Sequence, residues 1–160
     1  MLKITLITVG KPRETYLRDA VSEYEKRLST LCSLKTIELE PAKLPDTPNP
    51  TQIDQALTAE ATKIMATIPN GAFVIPMCIE GKQLSSQELS KQLDYLGVSG
   101  KSNVVFIIGG SYGLSDSVKQ KADLKLSMSK MTFPQQLARV MLLEQIYRAF
   151  KILQGGTYHK

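Results

Sequence analysis

Val104-Val105-Phe106-Ile107-Ile108-Gly109-Gly110-Ser111-Tyr112-Gly113-Leu114 is the stretch on which the fold turns. Five consecutive apolar residues leave no polar face for water, so residues 104–108 read as a strand covered on both sides, as in a parallel sheet. The strand runs straight into a glycine-rich loop. In open α/β sheets, ligands settle beyond the carboxyl ends of the strands, where loops converge, so this loop is the first candidate for chemistry.

Working outward, strands and helices alternate. Residues 2–9 read as a buried strand ended by Gly10-Lys11-Pro12, and Leu17, Val21, Tyr24 and Leu28 then recur at helical spacing. Ile37 and Leu39 alternate with Glu38 and Glu40, which predicts a strand with one wet face at a sheet edge. Four prolines between 41 and 50 make that stretch a surface loop. Ile53, Leu57, Ala61, Ile64 and Ile68 give the next helical stripe, followed by an apolar strand at 73–79 that Pro76 must bend or deprive of a partner. Residues 77–82 read as the loop after it. Ser85 and Glu88 form a capping box ahead of Leu89, Leu93 and Leu96. Beyond the 109–114 loop come a short helix at 115–122, a brief strand at 124–127 and a loop at 128–134. A long helix is expected over 135–153, with Leu143, Ile146, Phe150 and Leu153 on its apolar stripe, stopped by Gly155-Gly156. The expectation is one α/β domain over 1–160, with about five mostly parallel strands and helices on both faces.

The composition is that of an ordinary soluble globular protein. Among 160 residues, 42% are hydrophobic and 22% charged, which excludes disorder and collagen. No apolar run reaches the roughly 18 residues of a membrane span and no cleavable leader is evident, so a cytoplasmic protein with no membrane partner is expected. Two cysteines without a CxxC partner, Cys32 and Cys78, and a single histidine, His159, argue against a disulfide framework and a metal site. Residues 1–118 carry 12 lysines and arginines against 13 acids, whereas residues 119–160 carry 8 against 2. The positive excess therefore sits in the last quarter. It suits either a polyanion such as nucleic acid or a solvated lysine surface, and charge alone leaves both open.

Familiar motifs fail on spacing. Gly109, Gly110 and Gly113 do not fit the dinucleotide fingerprint and arrive late in the chain. The GVSGKS stretch at 97–102 has too few residues between its glycines for a phosphate loop and precedes a strand, so it reads as a plain turn. A lone penultimate histidine and the absence of a GxSxG elbow disfavour a Ser-His-Asp hydrolase.

Three loops remain, at 77–82, 109–114 and 127–134. Gly109 and Gly110 would let main chain approach a flat ligand, or would simply serve a turn, with Gly113 free to take a positive φ. Met128, Met131 and Phe133 suit either the core or a cavity for a purine and a thioether or sulfonium group. Glu144 and Arg148 at i,i+4 read as a surface ion pair, or as a cation oriented toward an anionic group. Tyr158 and His159 follow a glycine hinge, which by itself describes a frayed terminus.

Read together, VFIIGGSYGLS at 105–115, LSMSKMTFP at 126–134, QLARVMLLEQIYRAFKI at 136–152, the terminal Tyr158-His159-Lys160 and the opening ITLITVGK at 4–11 resemble one family over essentially the whole chain. It is that of the bacterial large-subunit ribosomal RNA pseudouridine N3-methyltransferases. The resemblance implies the SPOUT superfamily: a C-terminal trefoil knot, a homodimer, S-adenosylmethionine as methyl donor, no metal, and ribosomal RNA in the large subunit or whole ribosome as partner. It implies a donor site at Met77, Gly109, Met128, Ser129, Lys130, Met131, Thr132 and Phe133. It also makes Arg148, Glu144, His159 and Tyr158 the catalytic candidates, with the terminus reaching an active site near the dimer interface. Where relatives often carry histidine after the Phe-Pro pair this chain has Gln135, which hydrogen-bonds but does not titrate. Lys119, Lys121, Lys125, Arg139 and Lys151 are expected to contact phosphates. Two other functions fit the same residues: a non-catalytic ribosomal RNA-binding or assembly factor, and a SPOUT methyltransferase acting on transfer RNA.

Overall fold

The computed structural model describes residues 1–101 and 103–160; Ser102, the last residue of the expected turn at 97–102, lies outside them. The strands are β1 (Lys3–Val9), β2 (Ser33–Leu39), β3 (Phe73–Gln83), β4 (Asn103–Ile108) and β5 (Leu126–Ser127). The helices are α1 (Thr15–Leu28), α2 (Pro50–Thr67), α3 (Ser86–Val98), α4 (Asp116–Gln120) and α5 (Gln135–Leu153). The strands form one sheet in the order β2-β1-β4-β3-β5, and every pair is parallel. β4, the strand read as doubly buried, sits at the centre with Val104 to Ile107 fully covered.

Each face of the sheet has its own core. Ile4, Leu6, Ile75, Val104 and Phe106 pack against α1, α3 and α5 through Val21, Leu93, Leu142 and Ile146. Ile7, Val9, Val74, Val105 and Ile107 pack on the other side against Ala61 and Ile64 of α2 and Val118 of α4. The period-2 alternation of a strand sends neighbouring residues to opposite cores, which is why an unbroken apolar run was needed. Asn49 caps α2 and Ser85 caps α3, both in reciprocal capping boxes.

β2 is an edge strand, as expected, and Glu38 stays exposed on its wet face while pairing with Arg139 of α5 at 2.6 Å; Thr36 Oγ1 donates to Glu25 of α1. Three sequence expectations change. Residues 77–82 are the continuation of β3, not a loop. Phe73 to Pro76 pair with β4, and Met77, Lys82 and Gln83 pair with β5. Pro76, with no N–H to donate, stands where the strand changes partner, which is how a proline is accommodated inside the sheet. The α5 stripe runs through Leu142, Leu143, Ile146 and Ala149, whereas Leu153 is 41% exposed. The apolar face thus ends about one turn earlier than the periodicity suggested. β5 and α4 are also shorter than expected.

Candidate donor cavity and C-terminal cluster

The carboxyl ends of β3, β4 and β5 and the first turn of α5 enclose a cavity of about 530 Å³. Met77, Gly109, Met128, Ser129, Met131, Thr132 and Phe133 line it, so seven of the eight residues expected at a donor site converge here. Lys130 does not line it; it is exposed. Cys78, Ile79, Gly110, Ser111, Gln135 and Ala138 complete much of the wall. Cys78 and Ile79 belong to the candidate segment at 77–82, whereas Ala138 carried no sequence signal, because only the approach of α5 brings it there.

Of the two roles open to the loop's glycines, the geometry shows the turn. A side chain on Gly109 would meet the carbonyl carbon of Gly113 at 2.6 Å, so the missing Cβ serves the loop's own tight fold. The turn is closed by the Gly113 N–H donating to the Gly110 carbonyl at 3.0 Å. Gly113 has a φ of +80°, the left-handed conformation foreseen for it. Similarly, a Cβ on Gly81 would lie 2.8 Å from the carbonyl carbon of Lys125, so β3 and the approach to β5 touch backbone to backbone. The Gln135 carboxamide donates to the Val9 carbonyl and ties the start of α5 to the end of β1.

The volume lies within the usual range for small-molecule sites, and soft thioether and aromatic walls suit a flat heterocycle beside a sulfonium. Among the described residues, no three His, Cys, Asp or Glu side chains group as metal ligands. Burial, and after it the carboxylate of Glu80, push the Cys78 thiol above its ordinary pKa, so it stays a thiol at neutral pH.

The four catalytic candidates also come together, but elsewhere. Arg148 Nε donates to Glu144 Oε1 at 2.9 Å and Tyr158 donates to Glu144 Oε2 at 3.2 Å. The Arg148 guanidinium lies 4.8 Å from the Tyr158 ring centroid, and that ring packs edge-on against Tyr147 at 4.9 Å. His159 Nδ1 faces Arg148 Nη1 at 3.2 Å. Because arginine only donates, the ring accepts at Nδ1 and carries its proton on Nε2. That proton meets Gln87 at 2.9 Å, which accepts it once its carboxamide is turned oxygen-first. The terminus is therefore docked, not frayed. The bond from Glu144 raises the Arg148 pKa and keeps the side chain charged.

Gln145, which bonds both Glu144 and Ser86 of α3, supports the cluster. Neither it nor Gln87 carried any sequence signal, since α3 meets α5 only in the folded chain. None of Glu144, Arg148, Tyr158 and His159 lines the cavity of the same chain. Along α5, Arg148 lies about 15 Å from Ala138 in the cavity wall, at the helix rise of roughly 1.5 Å per residue.

The expected phosphate contacts divide. Lys121 and Lys125 are exposed. Lys119 is held by Glu80 at 2.8 Å, which lowers the Glu80 pKa and raises that of Lys119. Arg139 is a correction: it is only 2% exposed and paired with Glu38, so it braces α5 against the sheet and offers nothing to a phosphate.

Comparison with known proteins follows the same lines. A family model described as "Predicted SPOUT methyltransferase" matches residues 2–159. "Putative ribosomal RNA large subunit methyltransferase H" of Methanococcus vannielii is 50% identical over 159 residues, 99% of this chain and 100% of the relative. "Ribosomal RNA large subunit methyltransferase H" of Clostridium acetobutylicum is 51% identical with the same coverage. In fold, the chain is similar to a probable methylase family protein from Haemophilus influenzae Rd KW20, with a TM-score of 0.53 at 14% identity, over 98% of this chain and 70% of that one.

Proposed function

The chain belongs to the SPOUT methyltransferase family and is a methyltransferase, and from that premise we propose that it methylates N3 of a pseudouridine in 23S ribosomal RNA. The methyl donor in this reading is S-adenosylmethionine, as in SPOUT methyltransferases generally, and the substrate is the large subunit or whole ribosome in the cytoplasm. The observation that carries it is the cavity of about 530 Å³, in which Met77, Gly109, Met128, Ser129, Met131, Thr132 and Phe133 converge from separate elements.

Those residues would hold the donor, which when bound supplies an electrophilic methyl on a cationic sulfur. Met77, Met128 and Phe133 exclude water from that site, and positioning the acceptor nitrogen at near-attack distance accounts for several kcal/mol of the barrier. Arg148, kept charged and aimed by Glu144, stabilises the anion that forms on the base's carbonyl oxygens as N3 loses its proton. His159, with Tyr158, holds the base, or accepts that proton at Nδ1 after Arg148 has turned from it to the base. Gln135 cannot titrate and serves as a strut between β1 and α5.

Since the cluster and the cavity are apart in one chain, this reading requires two copies, the cluster of one completing the cavity of the other. Met131, 73% exposed, and Ile79, 50% exposed, put apolar surface at the cavity rim where a second copy would cover it. The trefoil threading is part of the same proposal, and the backbone contact of Gly81 with Lys125 supports a close passage of those two segments.

Labelled-methyl transfer from S-adenosylmethionine to whole ribosomes, free subunits and transfer RNA tests the substrate, with the modified base identified by mass spectrometry. Label at N3 of a pseudouridine in the large-subunit RNA is the expected result. Label confined to transfer RNA, or donor binding without transfer to any ribosomal particle, overturns it.

A further inference from the structure

Beside the donor cavity lies a second cleft of about 550 Å³ that no role above uses, opened by the turn after β1 and the end of β2. The two share Ser111 and Gln135 as wall residues, so a chain of linked groups passing from one to the other stays in contact with protein throughout. Their linings differ in kind. The first is dominated by methionine, glycine and phenylalanine, whereas the second presents Lys11, Arg13, Glu14, Glu40 and Gln136.

Among the described residues, neither Lys11 nor Arg13 forms an ion pair with a carboxylate, and both are exposed. Beneath them Glu38 is neutralised by Arg139. One polar atom of a wall residue, Gln136 Oε1, is buried without a partner. Buried polar atoms are nearly always satisfied, and the exceptions call for a reason. Here an acceptor is unsatisfied, in a wall that also carries cations and carboxylates outside any ion pair. An inorganic anion would need only the cations. A ribonucleotide brings a phosphate for the cations together with hydroxyl and ring N–H groups for the carboxylates, and the volume suits a ligand of that size.

We infer that this cleft is the subsite for the nucleotide next to the methylated base in a single-stranded RNA segment, with Lys11 and Arg13 on its phosphate and Glu14 and Glu40 accepting from its sugar and base. The inference rests on the RNA-methylating reading above. It also adds to the RNA path two cations of the turn after β1, Lys11 and Arg13, which lie outside the basic last quarter of the chain.

The test compares wild type, the double variant Lys11→Ala/Arg13→Ala and the charge-preserving Lys11→Arg/Arg13→Lys. Folding is checked by thermal melting, donor affinity by calorimetry with S-adenosylmethionine, and methyl transfer by titration of large ribosomal subunits. Binding of a pseudouridine-containing RNA 12-mer is followed over a salt series. The alanine variant should keep wild-type donor affinity and melting temperature, while its KM for the subunit rises about tenfold and its salt slope for RNA falls by about 1 to 2. The charge-preserving variant should restore most of both. An unchanged KM and slope overturns the subsite, and so does a loss of donor affinity, which would assign the cleft to the donor. If wild type transfers no methyl to ribosomal particles, the functional reading fails separately, and the 12-mer salt slope still decides the cleft.

Discussion

At the scale of single residues, two glycines of one loop are required for different reasons. Gly113 needs its positive φ, so Gly113→Ala costs backbone strain of about 1 to 3 kcal/mol with nothing blocking the side chain. Gly109 has an ordinary φ but no space, because a Cβ meets Gly113 backbone that cannot yield without opening the turn. Gly109→Ala should therefore reshape the cavity wall and weaken S-adenosylmethionine binding at least about tenfold, the equivalent of roughly 1.4 kcal/mol. Gly113→Ala should lower the melting temperature with a smaller effect on binding. Calorimetry and thermal melting on the two variants separate the effects; equal loss of donor binding in both would show that the tight turn is not what shapes the site.

At the scale of an element, the C-terminal segment is held by the phenol and ring of Tyr158 against α5 and by the His159 imidazole between α5 and α3. Burial, and next the Glu144 carboxylate, raise the Tyr158 pKa above its ordinary 10.0. A raised value means that the folded chain binds that proton more tightly than the unfolded one. Tyr158 therefore contributes stability fully below pH 10, and this is lost as pH rises through the higher folded value. Ionisation also removes the proton that Tyr158 donates to Glu144 and sets two negative charges together. The segment should detach in alkali above about pH 10 while the sheet persists. Hydrogen exchange or protease accessibility at residues 155–160 follows it, and Tyr158→Phe should shift or abolish the transition. If that variant and wild type released the segment at the same pH, the phenol would not be the latch.

At the scale of the whole molecule, the distance between cluster and cavity makes a prediction about assembly. Met131→Asp should impair the cavity, and Arg148→Ala the cluster, each without disturbing the buried core, since Met131 is exposed and Arg148 half-buried. Each variant alone should be inactive on large subunits. If sites are built from two chains, unfolding and refolding the variants together gives mixed dimers with one intact site, and activity returns. If each chain completes its own site, every site in the mixture carries a lesion and activity stays absent.

The sequence by itself determined the layering and the place of the chemistry. A short, largely β-branched apolar run such as 104–108, ended by glycines, suits the middle of a parallel sheet, and the alternating helical stripes supply the covers. The motifs at 105–115, 126–134 and 136–152 likewise located the cavity and gave the family, because local order in the chain survives folding. What only the tertiary structure decided depends on which strangers in sequence become neighbours. The switch of β3 at Pro76 turned an expected loop into strand, and the approach of α5 brought Ala138 to the cavity. The edge position of β2 set Glu38 under α5, so Arg139 became a buried brace instead of a phosphate ligand. The meeting of α3 with α5 supplied Gln87 and Ser86 to the C-terminal cluster. Periodicity reports whether a residue is covered, but the identity of what covers it is fixed by packing across the sheet, and that identity gives a charged side chain its task.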